Sequence, residues 1–232
     1  MNRMKIILQM VVILTLGITA NGQGSFQDLN FEEANPVSVG NGGYSTGSAL
    51  PGWQVFIGTT PISEIGIDAM PLSTSTVSLW NSYDYVIDGN YSLLLLGGGV
   101  ETFGQGGSTP EAASISQTGL IPTGTQSLLF KAVQEGPGPL NVNVGGRSIS
   151  FAALWNGPNY TLYGANISAW AGQTEALTFT APGASDANLE SLWEIDDITF
   201  SPNAVPEPSS LALMGIGGLV FAGYRRLAPQ RA

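Results

Sequence analysis

The chain has 232 residues, with 7 Lys and Arg against 17 Asp and Glu, only 10% charged residues, 31 Gly, 14 Pro, and neither His nor Cys. Without His or Cys there is no Ser-His-Asp triad, no imidazole or thiolate metal ligand, no thiol nucleophile and no disulfide. A hydrophobic share of 43% suffices for a packed core, and the length suits one domain with appendages.

Residues 1–22 open with Arg3 and Lys5, run apolar from Ile6 to Ile18 with Gln9 and Thr15 as interruptions, and close on the small residues Ala20 and Gly22. A basic start, a short apolar helix and a small-residue cut site make a secretory signal peptide, addressed to the Sec translocon and removed afterwards.

Residues 23–204 hold two cations, Lys131 and Arg147, against sixteen acids, a net charge of −14. Such a domain repels phosphate backbones, which argues against nucleic acid and anionic lipid as partners. Short runs with alternating, β-branched or aromatic residues follow one another: Trp53–Ile57, Val77–Trp80, Tyr91–Leu96, Ser114–Gln117, Gln126–Val133, Leu140–Val144, Arg147–Ala152, Glu175–Phe179 and Leu192–Phe200. Gly145-Gly146 between two alternating runs reads as a tight hairpin. No segment keeps a helical period for a dozen residues, so an all-β sandwich or jelly roll is expected. Gly58–Ser75, around a weak Ile65–Ile67 run, and Gly97–Pro110 read as long exposed connections. Neither carries phosphate-loop spacing. Asn90, Asn159 and Asn166 each head an N-x-S/T triplet and read as ordinary turn chemistry.

At the end come Val205, then Pro206, Glu207 and Pro208, an uncharged stretch Leu211–Ala222, and Arg225, Arg226 and Arg231. Twelve apolar residues make about 18 Å of helix, short of the roughly 30 Å hydrocarbon layer. The stretch is a marginal membrane segment with arginines placed to hold its end in the cytoplasm. Pro-Glu-Pro, a short apolar helix and terminal arginines, in that order at the chain end, resemble the PEP-CTERM sorting signal of Gram-negative bacteria. The resemblance spans 205–232. It implies an exosortase-type transpeptidase as partner, transient anchoring in the inner membrane, cleavage near Pro206-Glu207-Pro208, and delivery to the cell surface or extracellular matrix.

Leu29-Asn30-Phe31-Glu32 with Pro51-Gly52-Trp53 at one edge of the domain, and Tyr163–Phe179 with Trp193-Glu194-Ile195-Asp196-Asp197-Ile198 at the other, resemble galactose-binding-like jelly rolls, among them carbohydrate-binding modules. Several members hold a structural Ca²⁺ between the first and last strands. Carried over by position, Glu32 is the early ligand and Asp196 the late one, with Asp197 in reserve; a hard cation wants six to eight oxygens. Strand parity puts Asp196 on the face of Ile198 and Phe200, toward the core, whereas Glu33 rather than Glu32 falls on the apolar side. The alternative is an Asp pair accepting backbone hydrogen bonds at a strand edge.

Trp80, Tyr83 and Tyr85, and separately Trp155 and Tyr160 beside Asn156 and Asn159, combine flat rings with amides, as sugar-stacking sites do. Trp53, Trp170 and Trp193 read as core. Glu32, Glu33, Asp68, Asp84, Asp88 and Asp196 supply carboxylates for glycoside hydrolysis, yet no spacing selects an acid and a base. The first reading is therefore an exported, non-enzymatic surface or matrix protein, structural or weakly binding exopolysaccharide. A dedicated carbohydrate-binding module and a small glycosidase stand as alternatives. The intact mass of the exported protein should show loss of the N-terminal 20–22 residues and a cut near Pro206; a product ending at Ala232 contradicts the sorting reading.

Overall fold

The computed structural model describes residues 24–70, 74–83, 85–98, 110–184 and 189–205. The signal helix, the C-terminal apolar helix, Asp84 and most of Gly97–Pro110 lie outside the described residues. Alternation along the strands sorts the side chains into two stacked sheets with one apolar layer between them.

The larger sheet has nine strands: β1 (Ser38–Gly40), β2 (Gly43–Ser45), β5 (Glu64–Ile67), β6 (Thr76–Trp80), β7 (Ser92–Gly97), β15 (Ser191–Ser201), β9 (Ser127–Gln134), β13 (Thr161–Asn166) and β12 (Ala152–Asn156), in that spatial order. The smaller runs β11 (Arg147–Ile149), β10 (Asn141–Val144), β14 (Thr174–Ala181), β8 (Ala113–Leu120), β3 (Gln54–Ile57) and β4 (Thr60–Ile62). The β5–β6 pair is parallel and the other strand pairs are antiparallel. The inner orders β7-β15-β9-β13 and β8-β14-β10-β11 interleave strands from both halves of the chain. This is the jelly-roll arrangement of a β-sandwich, in which the chain passes repeatedly from one sheet to the other.

The core lies between the sheets. Phe130 packs at 5.3–5.4 Å against Phe151, Tyr163 and Phe179, with Leu93, Leu95, Ile115, Trp193 and Ile195 around them. Burying each such side chain contributes about 1.5–3 kcal/mol. Trp53 and Trp193 are core as expected, while Trp170 packs at its margin, partly exposed. Gly145 and Gly146 form the turn between β10 and β11 with φ of 57° and 72°, the positive values a two-residue hairpin demands.

Three segments depart from the sequence reading. Arg147–Ala152 is not one strand: β11 ends at Ile149, and Ser150-Phe151 carries the chain across to β12, aiming the Phe151 ring into the core. Gly58–Ser75, read as a connection around the weak Ile65–Ile67 run, contains β4 and β5, strands of three and four residues, too short to show a period. The 28–33 region is a pair of turns with Asp28 and Phe31 at φ of 47° and 59°, so strand parity does not govern Glu32 or Glu33.

Asp196 is buried, but not toward the core. Trp193 and Ile195 face inward, Asp196 faces outward opposite Lys131, and a bulge at Asp197 (φ 47°) restores Ile198 to the core. The extra residue resets the alternation that the sequence reading carried straight through.

Candidate functional site around the β6–β7 strap

The chain between β6 and β7, residues 81–91, lies as a strap over the outer face of the nine-stranded sheet. It starts where Asp68 Oδ1 accepts the backbone N–H groups of Asn81 (2.9 Å) and Ser82 (3.2 Å). It ends where Ser92 Oγ accepts the N–H of Ile87 (2.8 Å) and donates to Asp196 Oδ2 (2.7 Å). Between these points Asp196 Oδ2 accepts the N–H of Asp88 (3.2 Å), and its Oδ1 accepts the N–H of Asp197 (2.7 Å). Glu32 closes the far side. Its Oε1 accepts the N–H groups of Asn90 (2.7 Å) and Tyr91 (3.0 Å), and its Oε2 accepts Asn90 Nδ2 (2.6 Å). The Glu32 turn is itself bound to the last strand through Ile198 N–H and the Leu29 carbonyl, 2.9 Å.

Lys131 rises from β9 into this acid cluster, with Nζ 2.5 Å from both Asp88 and Asp197 and 5.0 Å from the Tyr160 ring centre. Burial alone would lower the lysine, yet its bonds to Asp197 and Asp88 hold it above the ordinary lysine range. The Lys131 bond in turn pulls Asp88 below the usual carboxylate range. Burial pushes Asp196 up to about 7, against the hydrogen bonds from Ser92, Asp197 and Asp88. Burial likewise raises Asp28 to about 6, and its Oδ2 is buried without a partner.

The three residues assigned to calcium by resemblance thus meet around one small notch, lined by Asn30, Glu32, Asp88, Gly89, Asp196 and Asp197. Their oxygens do not fit a metal as they stand. Glu32 and Asp196 are consumed by N–H and O–H donors, Asp197 by an ammonium, and among the described residues no three carboxylates gather as a metal group. The cation in this cluster is Lys131.

The aromatic candidates come to the same face. Trp80 is 7% exposed, so it offers no free platform; it ends β6 on the outer face, where Tyr85 stacks on it at 4.9 Å and 24°. Tyr83 is 95% exposed and Tyr85 half-exposed. Trp155 (51% exposed) and Tyr160 face each other at 5.4 Å across the hairpin between β12 and β13, which the Gly157 N–H to Tyr160 carbonyl bond closes at 2.8 Å. Asn159 Nδ2 donates to the Ile87 carbonyl (3.1 Å), tying that hairpin to the strap. Between them opens a cleft of about 680 Å³ holding Tyr85, Gln134, Glu135, Asn159, Tyr160 and Glu194. A recess of about 810 Å³ with Tyr83, Asn81 and Asn90 adjoins it along the strap.

Sequence reasoning passed over Lys131, Ser92, Glu135 and Glu194 as site residues. Lys131 had a signal: one of two domain cations, it alternates with the core residues Phe130 and Ala132. Of the three asparagines read as turn residues, Asn166 accepts the N–H and hydroxyl of Ser168 locally, whereas the Asn90 and Asn159 side chains reach Glu32 and the Ile87 carbonyl, far away in sequence.

Residues 204–226 match the PEP-CTERM protein-sorting motif. No curated protein matches the chain. Among solved structures it resembles the enzymatically active domain of tailspike protein 4 of bacteriophage CBA120, at 12% identity and a TM-score of 0.37 over 73% of this chain. It spans 21% of that chain's length. Among the described residues no helix is long and apolar enough to cross a membrane.

Two outcomes follow from the cluster. Lys131→Met should cost about 1–3 kcal/mol, between the values for exposed and buried pairs, while chelator should leave the melting temperature of the natural domain unchanged; a fall restored by Ca²⁺ would return the site to calcium. For pH, Asp28, Glu194 and Asp196 all have folded values above their unfolded ones, so the folded state keeps protons that the unfolded chain releases. Stability therefore falls as pH rises from about 4 to about 7. The lowered Asp88 acts in the opposite sense, but only at more acid pH. The melting temperature should be several degrees higher at pH 5 than at pH 8, at about 2–4 °C per kcal/mol. Asp196→Asn should flatten part of that slope, and a flat or rising profile in the natural domain would contradict these shifts.

Proposed function

We propose that this is an exported protein of the cell surface or extracellular matrix that binds glycan through the cleft beside the strap, without catalysing a reaction. The sorting motif indicates an exported protein processed by an exosortase. Export of the domain carries it to where polysaccharide is the abundant partner, and exopolysaccharide is the ligand class this reading names. In this account the apolar C-terminal segment holds the chain in the inner membrane only until the cut near Pro206.

One observation carries the binding half. Aromatic residues some seventy residues apart in sequence, Tyr83 and Tyr85 on one side and Tyr160 with Trp155 against it on the other, meet at contiguous open recesses lined with amides and acids. Exposed rings on a rigid sheet offer flat apolar faces to sugar rings, and the amides beside them offer hydroxyl partners. Of the carboxylates weighed for hydrolysis, Glu32, Asp88 and Asp196 are spent on holding the strap, and Asp68 Oδ1 on its first turn. That supports binding rather than turnover.

A glycosidase reading keeps one feature in its favour: Glu135 and Glu194 share the recess, and burial, with Glu135 adding to it, pushes Glu194 up to about 7, as a general acid needs. Oligosaccharide arrays and calorimetry with hexose and hexosamine hexamers decide between the two. Binding should weaken about tenfold in Trp155→Ala and in Tyr85→Ala, both exposed enough to leave the fold intact, corresponding to about 1–2 kcal/mol per ring. Release of reducing ends that Glu194→Gln abolishes would replace binding by hydrolysis, and no binding to any glycan would overturn the proposal.

A further inference from the structure

Beneath Tyr85 the cleft continues into a recess of about 500 Å³ whose walls include Asp68, Glu135 and Glu194, with Trp80, Tyr85, Met70 and Leu192 between them. Three acids line it, and no cation does. Glu194 is 6% exposed and sits on the outward face of β15, opposite Val133 of β9. Among the described residues no hydrogen bond of good geometry reaches its carboxyl. The Trp80 indole leans toward it and steadies its charge, but outside hydrogen-bond geometry, so Trp80 Nε1 stays buried and unpartnered. Asp68 uses Oδ1 for the strap, and Glu135 is exposed at the rim.

A carboxyl buried to this degree with no well-aligned donor is poorly satisfied unless water or a ligand enters the recess. A sugar hydroxyl offers one proton and leaves the mutual repulsion of Glu135 and Glu194 in place. A protonated primary amine offers three donors and a positive charge that cancels that repulsion. The stacked Trp80–Tyr85 pair beside the acids adds an aromatic face to the cation. The domain's net charge of −14 concentrates cations at its surface. Met70 and Leu192 suit the carbon skeleton of a ring better than a small hydrated ion.

Resting on the glycan-binding reading above, we propose that this recess takes the ammonium group of an amino sugar, so that the domain selects glycans carrying free hexosamine over neutral or N-acetylated ones. Acetylation removes both the charge and two of the three donors, which makes the acetyl group the discriminating feature.

The test is calorimetry on the full domain with four probes: a glucosamine hexamer, its N-acetylated counterpart, a neutral glucose hexamer and hexalysine. The glucosamine hexamer should bind at least tenfold more tightly than the other two sugars and than hexalysine. Glu194→Gln and Glu135→Gln should each remove most of that preference, while Glu175→Gln, an acid on the opposite sheet, should leave it intact. Glu135 is exposed, so its variant folds whatever becomes of Glu194→Gln. Equal binding of all three sugars, still weakened by Trp155→Ala, would overturn this inference and leave the glycan site standing. Binding of hexalysine as tight as the glucosamine hexamer, or loss of preference in Glu175→Gln, would reduce it to general charge attraction. Binding to no sugar at all would overturn both readings.

Discussion

The arrangement of the outer face depends on a single ammonium group. Lys131 bridges Asp88 on the strap and Asp197 on the last strand, directly across from the buried Asp196. Without a positive charge there, four acids contributed by the 28–33 turns, the strap and β15 would repel one another over a distance too short for solvent to screen well. With it, the strap has a fixed anchor, and the donors around Asp88 and Asn90 can settle on Asp196 and Glu32. The tyrosines of the strap inherit their positions from that anchor, and through the Asn159–Ile87 bond so does the hairpin bearing Trp155. A lysine in this place offsets the charge of the acids that meet at the ends of the domain, and does so with a covalently attached cation.

Anchoring of this kind requires β15 to do two things along one strand. Before Asp196 its alternation buries Trp193 and Ile195; after it, Ile198 must be buried as well. An uninterrupted strand would have turned Ile198 outward. The bulge at Asp197 supplies the missing half-step, at the cost of one residue in a left-handed conformation that Asp tolerates better than most. The same bulge turns the Asp197 carboxylate toward Lys131, so one irregularity serves both the core and the charge cluster.

The sequence made the strands with strong alternation legible, and the Gly145-Gly146 hairpin most of all, because there turn chemistry and periodicity agree. It left β1, β2 and β4 unread and β5 only as a weak run, because three- and four-residue strands broken by Gly, Ser and Pro have hardly a period to detect. Asp196 illustrates a subtler failure: parity aimed it at the core, but a bulge is invisible to parity, and its burial comes from the strap instead. Glu194 was hidden for the opposite reason. In sequence it is one polar residue in an alternating strand, an ordinary solvent-facing position, and only the strap and Glu135, 59 residues earlier, make it a buried acid. Contacts between segments so far apart leave no mark on local pattern.

Glu32 and Glu194 share a chemistry and differ in what the fold has done with it. Glu32 accepts three hydrogen bonds and has nothing left to offer a ligand. Glu194 is more deeply buried and accepts none of good geometry, although the same hydrogen-bonding economy would have favoured a partner for it. The core, built on Phe130 and its ring neighbours, supplies enough burial to tolerate that deficit on the outer face. A polar group kept unsatisfied beneath an aromatic lid, next to one whose bonds are complete, is what separates a residue that holds structure from one that is left available to bind.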